Sequence, residues 1–301
     1  MIVSVSRRCD IPRFQFTWFM EQLNAGFVEV PNPYNRRHKR RISLLPKGNP
    51  GLRDADSQPR AATACQVPAK ADIKPEEGVD AFVFWTRDPR NILTTAEELT
   101  KRGFPFYVMV TVTGYPPALE PGMVHTPKVV TAIRELSQKI GPDRVIWRYD
   151  PILISSITDE DFHRLNFTAL AQSLAGSVRR VIISLYDEYK GSKQRLDAKE
   201  KSGELRMMDA GAGLTQLLAD LAGSAEAAGM EIQSCAEKED YSSCGIKPGA
   251  CIDAALIEKH LHLQCGGRDK NQRPHCLCCQ SVDIGRYGMC AARCVYCYTW
   301  W

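Results

Sequence analysis

The chain has 301 residues, 44% of them hydrophobic, with a formal net charge of +4. That is enough for one large domain or two smaller ones around a sizeable core. No apolar run approaches the ~18 residues of a membrane span, and so small a charge does not argue for nucleic acid. Its twelve cysteines are too few for a secreted disulfide scaffold. The opening "MIVSVSRRCDIP" lacks a secretory pattern. A cytoplasmic protein is expected, with no membrane partner.

In chain order, short apolar runs end in polar residues. They are "MIVSVS" before Arg7, Arg8 and Asp10, "FVEV" before Asn32, "AFVFW" before Thr86 and Asp88, and "FYVMVTV" before Thr113. "RVIWRY" before Asp150, "RRVIISLY" before Asp187 and "MEIQS" before Cys235 and Glu237 follow. Runs this rich in β-branched and aromatic residues suit strands buried on both faces. Helical periodicity fills the gaps at 16–26, 126–141, 158–176 and 214–229. The second of these opens on Thr-Pro and closes on Gly; the third has Thr158 as its expected N-cap. Such alternation predicts an α/β fold, a complete or partial (β/α) TIM-like barrel over residues 1–234. Residues 42–79, rich in Pro, Gly and charge, read as an irregular excursion. From about Cys235 cysteine, glycine and basic residues dominate. Residues 235–301 are expected to form a Cys-rich iron–sulfur segment packed on the barrel mouth, with one helix over 251–263.

All cysteines but Cys9 and Cys65 lie beyond residue 234. In a reducing compartment such crowding favours metal binding over disulfides. The end of the chain, "CAARCVYCYTWW", places Cys290, Cys294 and Cys297 at C-x3-C-x2-C spacing. An iron–sulfur cube needs a ligand on each iron, so three cysteines leave one iron open. An open iron is what S-adenosylmethionine (SAM) chelates through its amino and carboxylate groups. Zinc is the alternative, although structural zinc sites usually show paired C-x2-C units. Cys235, Cys251, Cys276 and Cys278 form the preferred set for a second centre, either another [4Fe–4S] cluster or zinc. Cys244, Cys265 and Cys279 compete for it.

The pattern C-x3-C-x-aromatic-C, with Tyr296 at the aromatic position, resembles the signature of the radical SAM superfamily. That resemblance implies a [4Fe–4S] cluster, SAM as co-substrate, and an electron donor such as flavodoxin or ferredoxin. "SRRCDIP", "NPYN", "VFWTRDP", "WRYDPIL", "QRPHCLCCQSVDIGRYGMC" and "CVYCY", in this order, resemble the domain-of-unknown-function 1848 family over nearly the whole chain. "TRDP", "TVTGYPPALEP", "AIREL" and "RYDPIL" are more loosely similar to spore photoproduct lyase-like radical SAM proteins. In radical SAM barrels the cysteine motif normally follows the first strand. Here it would follow the last, which implies a circularly rearranged barrel in which "CQSVDIG" (279–285) leads into the cluster loop beside residues 2–6.

A SAM pocket needs a cation for the carboxylate, acceptors for the ribose hydroxyls and a flat surface for adenine. Arg148 and Asp150 suit the first two tasks. Thr111 and Thr113 alternate along one strand. Arg7, Arg8 and Asp10 are candidates for SAM or for an anionic or nucleic-acid-derived substrate. Trp85 and Trp147 read as core or as base-stacking surfaces. Asp187 and Tyr189 are candidates for proton or hydrogen-atom handling. The basic run "RRHKRR" (36–41) is either a solvated loop or a phosphate contact. A zinc-stabilised nucleic-acid-binding protein and an iron–sulfur protein that does not cleave SAM are therefore the competing functions.

Overall fold

The computed structural model describes residues 1–31, 38–47, 78–209 and 211–300. Cys65, "NPYN", Arg36, Arg37 and most of the 42–79 excursion lie outside them.

The strands are β1 (Ile2–Val5), β2 (Phe27–Pro31), β3 (Lys39–Ser43), β4 (Ala81–Thr86), β5 (Phe106–Thr111) and β6 (Val145–Ile152). β7 (Arg180–Leu185), β8 (Glu231–Cys235), β9 (Lys247–Gly249) and β10 (Val282–Asp283) complete the set. The helices are α1 (Ile11–Phe14), α2 (Phe16–Ala25), α3 (Arg90–Lys101), α4 (Thr126–Ile140), α5 (Glu160–Leu174), α6 (Lys190–Lys201), α7 (Leu214–Ala227) and α8 (Ala254–Leu261). Eight strands form one parallel sheet in the order β10-β1-β4-β5-β6-β7-β8-β9. The α/β class and the parallel sheet agree with the sequence reading. In this order β9 and β10 are the two edges, and among the described residues they do not pair with each other.

Side chains alternate between two faces of the sheet. Val3, Val5, Phe82, Phe84, Phe106, Val108, Val110, Trp147, Val181 and Ile183 join the large core formed with α2–α5 and α7. Phe19 of α2 meets Phe82 and Phe84 edge-on, with ring centroids 5.5 and 5.6 Å apart. Trp147 belongs here too, stacked 4.7 Å from Phe167, so it is core and offers no surface to a base. Ile2, Ala81, Val83, Trp85, Tyr107, Met109, Ile146 and Ile182 point the other way. They pack against α8 and the cysteines at 235, 251, 276, 278 and 279. We call these the helical face and the thiol face.

Several local expectations change. "FVEV" is not a strand of the main sheet: β2 pairs antiparallel with β3, and its alternating burial marks one solvated side. Lys39, Arg40 and Arg41 of the basic run are the exposed end of β3, not a loop. Thr158 is fully buried and bonds Leu153 O at 2.7 Å, while Asp159 caps α5 by accepting from Phe162 N. The 251–263 helix is shorter and is capped by Asp253. A boundary between 234 and 235 would cut β8. The Cys-rich segment is woven into the sheet, since it supplies both edge strands.

Candidate metal centre

The predicted lead-in strand is β10, which lies parallel to β1 with Val3 opposite Val282 and Ser4 opposite Asp283. At its end the Asp283 carboxylate accepts from Ser4 Oγ (2.9 Å), Ser6 Oγ (2.5 Å), Arg7 N (2.8 Å) and Gly285 N (2.9 Å). Arg7 and Arg8 face the same carboxylate at 3.6 and 4.0 Å, so their charges serve this junction first. Gly285 is required by close approach: a Cβ there would stand 1.9 Å from Ser6 Oγ.

The chain then runs across the C-terminal ends of the parallel strands. Gly122 lets it approach, because a Cβ would stand 2.6 Å from Ala292 O. Val295 N donates to Leu119 O at 2.9 Å. Arg195 donates to Val295 O (2.9 Å), Trp300 O (2.8 Å) and Cys297 O, and lies 4.0 Å from the Trp300 ring centroid. Cys290, Cys294 and Cys297 stand in one electrostatic neighbourhood. Burial pushes the Cys294 thiol up to about 12, with Arg87 pulling the other way. Thr299 N donates to Cys297 Sγ at 3.4 Å.

Tyr296 turns inward, and its hydroxyl is shared by Glu120 and Arg87. Arg87 Nη1 reaches Glu120 Oε1 at 2.7 Å, and Thr113 Oγ1 donates to the same oxygen at 2.6 Å. Burial alone would lower the Arg87 guanidinium, but Glu120, Tyr296 and Cys294 hold it well above its ordinary value. Asp10 caps α1 and accepts from Arg87 N at 2.8 Å; burial pushes its carboxyl up to about 6. Beside this group is a cleft of about 310 Å³ lined by Arg87, Thr111, Thr113, Tyr115, Glu120 and His125. Sequence reasoning did not single out Arg87 or Glu120 as site residues. The only signal was their place at the ends of strand-like runs, in "WTRDP" and "LEP".

On the interior strand β6, Arg148 pairs with Asp150 at 2.5 Å and lies over Trp85 at 4.8 Å. Asp150 also accepts from Ser184 Oγ. Two donors here, Arg148 Nε and Trp85 Nε1, are buried without a partner. Tyr298 Oη donates to Arg7 O at 2.9 Å, and its ring stands 5.3 Å from that of Tyr189. Asp187 is half-exposed and paired with Arg273 at the rim, while Glu237 lies deeper. Glu237 accepts from Leu185 N at 2.9 Å, and burial pushes it up to about 7, a range suited to proton transfer.

The second cysteine set is also brought together. Cys235 and Cys251 sulfurs stand 3.1 Å apart, Cys251 also contacts Cys278, and Cys278 contacts Cys276. Ile252 N donates to Cys278 Sγ at 3.3 Å. Cys265 and Cys279 make a separate pair, and Cys244 sits in the helical-face core. Among the described residues no three His, Cys, Asp or Glu side chains surround a point in the manner of a single-ion site. The donor chemistry at both groups, all thiol with nearby N–H donors and guanidinium groups, fits iron–sulfur ligation. The basic run fits nucleic acid less well: Lys39 reaches Glu29 at 3.2 Å, and Arg41 covers the Phe27 ring at 3.6 Å.

No described helix is long and apolar enough to cross a membrane. The chain belongs to the family described as Domain of unknown function (DUF1848), whose model matches residues 2–50 and 60–299. No curated protein and no solved structure matches it.

Proposed function

We propose that this DUF1848 chain is a radical SAM-type enzyme whose Cys290, Cys294 and Cys297 hold a [4Fe–4S] cluster with one open iron. The observation that carries the reading is the placement of the C-x3-C-x2-C loop. It follows a strand that pairs with β1 and lies across the C-terminal ends of parallel strands, where α/β folds bind ligands. The order β10-β1-β4 also supports a (β/α) barrel circularly rearranged relative to radical SAM barrels, as does the looser likeness to spore photoproduct lyase-like proteins.

When bound, such a cluster supplies the electron that splits the SAM sulfonium and yields a 5′-deoxyadenosyl radical. The chain's own residues hold and orient. Asp150 and Thr111 offer acceptors to the ribose, with Arg148 holding Asp150 in place at 2.5 Å. Arg87, Glu120 and Tyr296 fix the loop's pitch. Glu237 holds or releases a proton near neutral pH at its carboxylate, with Asp187 and Tyr189 nearer the rim. The substrate is unknown, an anionic or nucleic-acid-derived one being a candidate, and a flavodoxin- or ferredoxin-type donor is expected.

The test is anaerobic reconstitution followed by dithionite, SAM and an assay for 5′-deoxyadenosine. The wild type is expected to be brown and to form the product, and Cys294→Ser to form none above background. A colourless, zinc-bearing protein that takes up no iron would sink the reading in favour of a zinc-stabilised one. A brown protein that never yields 5′-deoxyadenosine is an iron–sulfur protein of another kind.

A further inference from the structure

The thiol face raises a problem that the terminal loop does not solve. Cys235, Cys251, Cys276 and Cys278 are all buried, and their sulfurs form one connected group. They come from the end of β8, the residue two positions after β9 and a loop that precedes β10. Apolar packing gives no reason to converge four thiols from three chain segments. The backbone around them is specifically held. Tyr107 Oη donates to Cys251 O at 2.6 Å, Cys279 N donates to Ile252 O at 3.0 Å, and Asp269 N donates to Cys278 O at 2.9 Å.

Two further observations point to a ligand of negative charge with several acceptor atoms. Trp85 Nε1 and Arg148 Nε are buried donors with no acceptor. Leaving such groups unpaired is costly, so native structures rarely do so. Two guanidinium groups, each also paired with a carboxylate (Arg148 with Asp150, Arg7 with Asp283), lie within electrostatic reach of the thiols: Arg148 of Cys251 and Cys235, Arg7 of Cys278 and Cys251. Cations near neutral thiols gain little from them; near thiolates on a metal centre they would help compensate its charge.

We propose that Cys235, Cys251, Cys276 and Cys278 hold a second, closed iron–sulfur cluster on the thiol face, with Trp85 and Arg148 donating hydrogen bonds to its sulfurs. Four thiolates give one ligand to each iron of a cube and leave none open. Each thiol releases its proton to solvent on ligation. The Cys276–Cys278 spacing, with one intervening residue, departs from the pairs usual in structural zinc sites. This centre does not depend on the terminal loop.

The experiment uses the full chain, reconstituted anaerobically with iron and sulfide. In the triple variant Cys290→Ser, Cys294→Ser, Cys297→Ser, iron should fall from about eight atoms per chain to about four, and the brown colour should persist. A triple variant that binds no iron, or takes zinc instead, overturns the proposal. If the terminal loop holds no cluster, wild type and triple variant carry the same four irons, so failure of the SAM reading leaves this one standing. In the triple background Trp85→Phe keeps the ring and removes the donor. The remaining cluster's reduction potential should move downward, and an unchanged potential overturns the donor assignment.

Discussion

The two faces of the sheet are built on different principles. The helical face is covered by amphipathic helices, and its core is almost wholly aliphatic and aromatic. The thiol face carries five cysteines in its core and is covered by one eight-residue helix and irregular chain. Apolar packing is non-directional and tolerates substitution as long as volume is kept. A thiol group with buried guanidinium groups is directional and depends on every partner. The first face supplies most of the apolar core; the second holds the proposed closed cluster.

The largest test of this separation is Phe19→Ala. The ring is fully buried between α2 and β4, so its loss should cost about 3–5 kcal/mol by denaturant unfolding. Iron uptake at low temperature should not change. If iron is lost in step with stability, the faces are one unit and the comparison breaks.

Acid provides the next. His163, on the helical side, is fully buried between Tyr149 Oη (2.8 Å) and Leu153 O (3.2 Å). Burial pushes its pKa down to about 4, against about 6.5 unfolded. The neutral ring's contribution is therefore complete above pH ~6.5. It is lost as the pH falls toward 4, by about 3 kcal/mol. The buried carboxyls of Asp10 and Glu237, pushed up to about 6 and about 7, act in the opposite sense. The readout is thus the difference between wild type and His163→Gln: the variant should lose less stability between pH 6.5 and 4. Equal slopes would remove His163 from the account.

The smallest effect belongs to the thiol face. Tyr107→Phe removes the bond to Cys251 O and should cost about 1–2 kcal/mol. It should also loosen metal retention against a chelator, whereas Phe19→Ala should not. Identical chelator kinetics in the two variants would blur the distinction.

The same contrast explains what could be read from the sequence. Helices 126–141 and 214–229 were legible because a 3.6-residue apolar period and Thr-Pro or Gly signals are local properties. The parallel sheet followed from buried β-branched runs. The role of Thr158 was misjudged because Asp159 competes for the same cap and wins by accepting from Phe162 N. β9, with three residues, is too short for any periodicity, and β10, with two, is expected only from its place before the cysteine motif. The Arg87–Glu120–Tyr296 contact joins positions up to 209 apart, and no local pattern encodes such a meeting. The convergence of Cys235, Cys251, Cys276 and Cys278 was anticipated because cysteines are scarce and their chemistry narrow. The pairing of Arg7 and Arg8 with Asp283 was not, because arginines have many uses.

The seam between β1 and β10 has a consequence for synthesis. Ser4 and Asp283 are 279 positions apart. At about 5–20 residues per second, roughly 15–60 s separate their emergence from the ribosome. Through that interval one flank of β1 is an open edge able to capture a foreign strand. The nascent chain limits the risk by keeping β1 to four residues. The segment that closes the edge also delivers Cys290, Cys294 and Cys297, so sealing the sheet and presenting the terminal thiols are a single late event in the protein's assembly.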